Sequence, residues 1–403
     1  MLRIALAVAL ALVALTASAN SGAPAVPAPI ATPEALARYL RDTPMERSPL
    51  RALSPGGRKR FLAQLRFGRR GLGGFSLDDL ANELTHAQAE AVMALFGAQT
   101  YVGGTGLSAH EYTRRLAERV ADASRRGCAL DACTESEIEQ RYDALVLADH
   151  RGADAARRAA VTSNYARLFA EDMRPASFKS TSAPDLRLLA RAARVALDAD
   201  PDGRAPDDLT RVLGVMQSRG MAGDADFLPL YRARVTSRDF DAASALARAH
   251  PGMAVIALPA LDNPTIPAAE PTVLSVYAEG RHMRHEAVDL DAPLRIVVVA
   301  ACHFSEDAAR AIAADPRLDA LFHQHAVWLA AEGTPPADAV TWNRAFPTQP
   351  IHVAWRDREW SMLDSWAMPT YYVFRHGHEI ARWHGWLGLE ALRTELTKAG
   401  VPY

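Results

Sequence analysis

The sequence predicts an all-α N-terminal half followed by an α/β C-terminal domain, and three observations carry that expectation. Helix caps and apolar residues at helical spacing recur up to about residue 255. Short β-branched runs alternate with helical patterns from residue 272 onward, and a Pro-rich stretch separates the two regions. The 403 residues suffice for more than one core, and 45 Lys+Arg against 47 Asp+Glu leave a formal charge of −2. That balance gives no global attraction to nucleic acid, so no nucleic-acid partner is expected.

At the start, Met1-Leu2-Arg3 is basic and Ile4 to Leu15 is an apolar run too short to span a bilayer. Small residues follow in Thr16-Ala17-Ser18-Ala19, which predicts a signal peptide over 1–19 with cleavage after Ala19. The expected location is periplasmic or secreted, with no stable membrane span after cleavage, because no later stretch is long and apolar enough. Residues 20–31, rich in Pro and Ala, read as a flexible lead-in. Three cysteines fall in a compartment where disulfides persist, and the odd count leaves one thiol. Cys128 and Cys133 flank the turn Ala129 to Ala132 and are close enough to bridge, which leaves Cys302 as the free thiol.

Residues 32–255 read as one or more helical domains. Thr32-Pro33 and Ser54-Pro55 place Pro at a first helical position, while Thr85 to Gln88, Ser108 to Glu111 and Thr134 to Glu137 match capping boxes. Gly97 and Gly127 supply stops. Leu186–Leu197, Leu209–Met216, Phe227–Ala233 and Phe240–Ala249 continue as helix pairs without a fixed period, which favours a scaffold over a peptide-binding repeat array. Eight basic residues and no acidic one fall between Arg47 and Arg70. They read as a solvated face paired with the acidic helix holding Asp78, Asp79 and Glu83. The glycines of 68–74 and 103–106 lack a following Lys-Ser/Thr and read as turns.

After the Pro-rich linker, 256–271, Thr272–Tyr277 and His285–Leu290 predict a hairpin around Glu279-Gly280. Leu294–Ala300 is a nearly continuous apolar run, suited to a strand buried on both faces. Cys302-His303-Phe304-Ser305 follows and opens a helical pattern through Ala308, Ala309, Ile312 and Leu318. Val327–Leu329 and Ile351–Trp355 read as further strands, with Ala337–Ala345 as a helix between them. Met368-Pro369-Thr370 then leads into strand Tyr371–Phe374, turn His376-Gly377, strand Glu379–Trp383 and a closing helix, Leu387–Lys398.

A cysteine at a strand-to-helix junction meets unpaired backbone N–H groups and the positive end of the helix dipole, which favour thiolate. In its order of strand, Cys-x-x-Ser, Met-Pro-Thr step, hairpin and closing helix, Leu294–Gly400 resembles the thioredoxin-like family. The resemblance implies a thioredoxin-like domain over 272–403 in which Pro369 is cis and faces Cys302, and the Met368 backbone pairs with an extended substrate. Ser305 stands where the family's resolving cysteine would be, which puts a dithiol cycle in doubt and leaves monothiol exchange. The expected function is monothiol disulfide exchange or isomerisation on extracytoplasmic client proteins, with Cys302 as nucleophile and Ser305 as hydroxyl donor. The alternative is a redox-inert binding or structural module of the cell envelope.

No organic cofactor is expected. Asp198, Asp200 and Asp202 with Gly203 match the first half of a calcium loop, but its twelfth position is Leu209 rather than Glu, so a solvated acidic turn is favoured there. Histidines crowd the C-terminal part without converging on one ligand set, and no metal is expected at Cys302. No Gly-x-Ser-x-Gly elbow or His-Glu-x-x-His helix occurs, which removes common hydrolase and metalloprotease readings.

Overall fold

The computed structural model describes residues 28–148, 154–262 and 271–402. The expected signal peptide, most of the lead-in and residues 263–270 of the expected linker lie outside the described residues. The chain divides into two compact units between Ala117 and Glu118.

The first unit holds α1 (Pro33–Asp42), α2 (Pro55–Ala63), β1 (Arg66–Gly68), β2 (Gly71–Gly74), α3 (Asp78–Glu83), α4 (His86–Ala94) and the first half of α5 (Ala109–Arg125). Thr32 and Ser54 cap α1 and α2, and both arms of the Thr85–Gln88 capping box form at α4. Leu50, Phe61, Leu80, Leu84, Val92 and Met93 fill its core. Within the basic run, Arg60 is only 1% exposed, held 3.0 Å from Asp79 and 3.6 Å from Glu83. The pairing with the acidic helix is as expected, but this member is interior rather than solvated. The glycine-rich stretch also forms the antiparallel pair β1–β2, where backbone bonds hold residues that carry little apolar patterning.

The second unit continues with α6 (Glu137–Val146), α7 (Asp154–Phe169), α8 (Ala183–Ala199), α9 (Ala205–Ser218), α10 (Leu228–Thr236) and α11 (Phe240–Ala249). Then come β3 (Ala260–Asp262), β4 (Thr272–Val276), β5 (His282–Ala287), β6 (Arg295–Val299), α12 (His303–Ala313), α13 (Pro316–His325) and β7 (Ala326–Ala330). The chain closes with α14 (Pro336–Ala345), β8 (Ile351–Ala354), β9 (Thr370–Arg375), β10 (His378–His384) and α15 (Leu389–Lys398). The coarse expectation therefore holds: a helical region precedes an α/β region built on a mixed sheet.

The sheet has eight strands in the order β10-β9-β6-β7-β8-β4-β5-β3. β6, β7 and β8 run parallel, while β9 is antiparallel to β6 and β4 is antiparallel to β8. Along β6, Ile296 and Val298 face the helices, whereas Val297 and Val299 pack with Trp360 and Leu363 on the other side. Both faces of this central strand are covered, as its apolar run requires. Three local features differ from expectation. β3 lies inside the Pro-rich stretch and pairs parallel to β5. β5 begins at His282, because the turn at Tyr277–Gly280 sets the register with β4. The helix after Cys302 breaks where Asp315 caps a new start at Pro316.

The helical layer and the sheet share one apolar core. Arg238, in the left-handed region at φ 61°, donates to the carbonyl oxygens of Ala354, Trp355 and Glu332. Burial pushes its guanidinium down to about 10, although Glu332 counteracts this. Arg356 returns the contact by donating to the Thr236 and Ser237 carbonyls, and Phe240 meets Trp355 edge-on at 6.3 Å.

Candidate functional site

The site grows from the end of β6. Ala300 N–H still bonds the Leu329 carbonyl of the neighbouring strand, fixing the exit. Ala301 then takes φ 145°, a conformation that L residues rarely adopt. Cys302 follows in extended geometry as the N-cap of α12, and its carbonyl accepts from Ser305 N–H at 2.9 Å and Glu306 N–H at 3.0 Å. The apolar stripe Ala308, Ala309 and Ile312 seats α12 on the sheet, so the cysteine is carried on a helix fixed by packing.

Two of the expected site residues contact this sulfur directly, and a third, Pro369, adjoins Met368 in the chain. Ser305, fully buried, places Oγ 3.3 Å from Cys302 Sγ. The Met368 carbonyl oxygen lies 3.6 Å from the same sulfur, and the Met368–Pro369 peptide is cis. Pro369 is itself buried, and its carbonyl accepts from Gly385 N–H at 2.8 Å. Thr370 Oγ1 donates to the Ala367 carbonyl and contacts His384 Nδ1, tying the Pro369 turn to both strands of the β9–β10 hairpin. The residues that the sequence separates by more than sixty positions therefore meet because β6 and β9 are neighbours, with Val299 opposite Thr370.

Cys302 is the free cysteine and is half-buried. Phe304, 51% exposed, and Met368, 44% exposed, give its surroundings an apolar surface. The His303 ring lies tilted against Phe304, with centroids 3.9 Å apart. Trp366 packs against the apolar cluster that holds Val297, Leu329 and Trp360.

Tyr371 was not foreseen from the sequence. Its hydroxyl is buried and has no hydrogen-bond partner, and burial above all raises the phenol well above its ordinary range. Strand alternation beyond Pro369 puts its side chain beneath α12, but nothing in a run of aromatic and β-branched residues marks one hydroxyl as unpaired.

The other expected residues lie elsewhere. Cys128 and Cys133 form a disulfide between α5 and α6, with Cα atoms 5.2 Å apart. Asp202 N–H bonds Asp200, Asp202 pairs with Arg356 at 3.4 Å, and burial raises the Asp198 carboxyl. Among the described residues no group of three His, Cys, Asp or Glu is arranged to hold a metal ion, and no helix is long and apolar enough to cross a membrane. A separate polar cluster sits on β4, β5 and β8, where Ser275 Oγ donates to Glu286 at 2.5 Å and contacts His352 Nδ1 at 2.8 Å. Comparison with protein-family models, with curated proteins and with solved structures finds no match, so the functional reading rests on the chain's own geometry.

Proposed function

We propose that the protein is an exported, thioredoxin-like protein that performs monothiol disulfide exchange and isomerisation on extracytoplasmic clients. The observation that carries this reading is the approach of Cys302 Sγ, at the start of α12, to the Met368 carbonyl before the cis Pro369. The strand order β7-β6-β9-β10, with β6 and β7 parallel and β9 antiparallel to β6, supports the same reading. So does the exposed apolar pair Phe304 and Met368, which offers contact to an unfolded client.

In the proposed step the Cys302 thiolate attacks one sulfur of a client disulfide. A Cys302–client disulfide forms, the client S–S bond breaks, and the second client sulfur leaves as a thiolate that takes a proton from water. Ser305 carries no thiol, so release comes from a client thiolate attacking the mixed disulfide. The net result is rearranged client disulfides without an external oxidant or reductant. The Ser305 hydroxyl donates to the thiolate, and Met368 and Pro369 shape the groove along which an extended client lies.

A second reading, a redox-inert binding module, is favoured by an apolar cavity of about 400 Å³ lined by Tyr231, Val235, Ile256, Pro335 and Val340. That cavity shares no residue with the surroundings of Cys302. Recovery of activity from a scrambled disulfide protein separates the two. Exchange predicts recovery with the native chain and none with Cys302→Ser; equal, background recovery with both overturns it.

A further inference from the structure

The cavity of about 400 Å³ lies between α10 and α14. Leu228 and Val235 line it from α10, Pro336, Ala337 and Val340 line it from α14, and the irregular segment 255–259 forms a third wall. Its size falls within the roughly 300–1,000 Å³ of pockets that hold small molecules, and its walls are apolar, as theirs are. Ile256 belongs to the lining and is 73% exposed, so the cavity opens to solvent beside it. Water held against such walls finds few partners, and an apolar body gains by displacing it.

The turn of the β4–β5 hairpin closes the remaining side. Gly280, at φ 75°, brings that turn so near α14 that a Cβ there would stand 3.4 Å from both Arg344 Nη2 and Val340 Cγ1. Arg344 fixes the turn by donating from Nε to the Ala278 carbonyl at 2.7 Å and from Nη2 to the Glu279 carbonyl at 3.3 Å. Tyr231 Oη reaches the third wall, donating to the Ile256 carbonyl at 3.5 Å.

Charge around the cavity is uneven. Arg232 on α10 and Arg344 on α14 are exposed members of its lining, against the single carboxylate of Glu279. Arg344 donates to carbonyl oxygens only, and neither guanidinium makes an ion pair among the described residues. An apolar interior therefore opens beside a net positive charge.

We infer that this cavity binds a small amphiphile of the fatty-acid class, with its aliphatic body between α10 and α14 and its carboxylate paired with Arg232 and Arg344. A cationic head would meet two guanidiniums, and a neutral head would leave both without a counter-charge. Binding makes and breaks no covalent bond. This site goes beyond the exchange reading and does not rest on it.

The test titrates decanoate into the mature chain by calorimetry, with decyltrimethylammonium as the cationic match of equal chain length. Saturable binding of decanoate is expected, with the cation at least about tenfold weaker. Arg232→Gln, a change at an exposed side chain, is expected to weaken decanoate about fivefold. Ala337→Trp, which fills the cavity, is expected to abolish binding, and the arginine variant decides the matter should that chain not fold. No saturable binding of decanoate, or equal binding of both amphiphiles that Arg232→Gln leaves unchanged, overturns the inference. Preference for an end-blocked apolar hexapeptide over decanoate also overturns it and makes the cavity a peptide groove. Cys302→Ser is expected to bind decanoate as the native chain does while losing exchange, so this inference and the exchange reading fail separately.

Discussion

At Cys302 the sulfur meets a hydroxyl, a carbonyl and the start of a helix, and each bears differently on its charge. The Ser305 hydroxyl can donate to the sulfur or accept from it, the α12 terminus presents backbone N–H groups, and the Met368 carbonyl can only accept from a thiol. Replacing the hydroxyl by a second thiol changes the chemistry outright. Ser305→Cys, with Oγ already 3.3 Å from Sγ, is expected to form a disulfide with Cys302 under oxidising conditions. A thiol count with Ellman's reagent that falls to zero under oxidation, and gain of insulin-reducing activity with dithiothreitol, check this. Cys302, Ser305, Met368 and Pro369 were legible in the sequence because a buried-strand pattern ending in Cys-x-x-Ser and a Met-Pro-Thr step mark both sides of one junction. Tyr371 was not, because an unpaired hydroxyl is a property of what surrounds a residue and leaves no local pattern.

Among the elements, most capped helices begin where their caps predict, α6 excepted, where Ser136 caps the helix two residues beyond the expected Thr134; the short pairs held by backbone bonds alone are not legible. α1, α2 and α4 begin where Thr32, Ser54 and Thr85 predict. β1–β2 and β3 escaped notice because their residues are glycine-rich or sit among prolines, and their partners are set by register. The break between α12 and α13 shows a cap overruling a continuous helical pattern. Asp315 accepts from Arg317 and Leu318 N–H at 3.0 and 3.1 Å, and the Leu318 bond above all holds its carboxyl below the usual 3.8, with Arg393 assisting. A carboxyl lowered in the folded state contributes stability that is complete above its unfolded value and is lost as pH falls through the folded value. The melting temperature of the native chain is therefore expected to exceed that of Asp315→Asn at neutral pH, with the gap closing below about pH 3.8. A gap that stays constant down to pH 2 would contradict this account of the cap.

Over the whole second unit, the helical layer and the sheet region are one folding body. Arg238 and Arg356 join backbone carbonyls of one to side chains of the other, and Phe240 packs on Trp355. The change of pattern near residue 255 marks a change of secondary structure, and periodicity alone carries no information about which elements share a core. Residues 255–403 expressed alone are expected to bind a hydrophobic dye and melt without a sharp transition. Residues 108–403, which keep the helical layer, are expected to melt cooperatively. Calorimetry of the two fragments checks this, and a sharp transition in the shorter fragment would contradict it.

Covalent trapping by a client disulfide tests Cys302 as the exchange nucleophile most directly. A dithiothreitol-sensitive adduct between the native chain and a scrambled disulfide protein, absent in Cys302→Ser, is the predicted result. No adduct with the native chain would contradict the exchange function and leave the apolar cavity lined by Tyr231, Val235 and Val340 as the feature to explain.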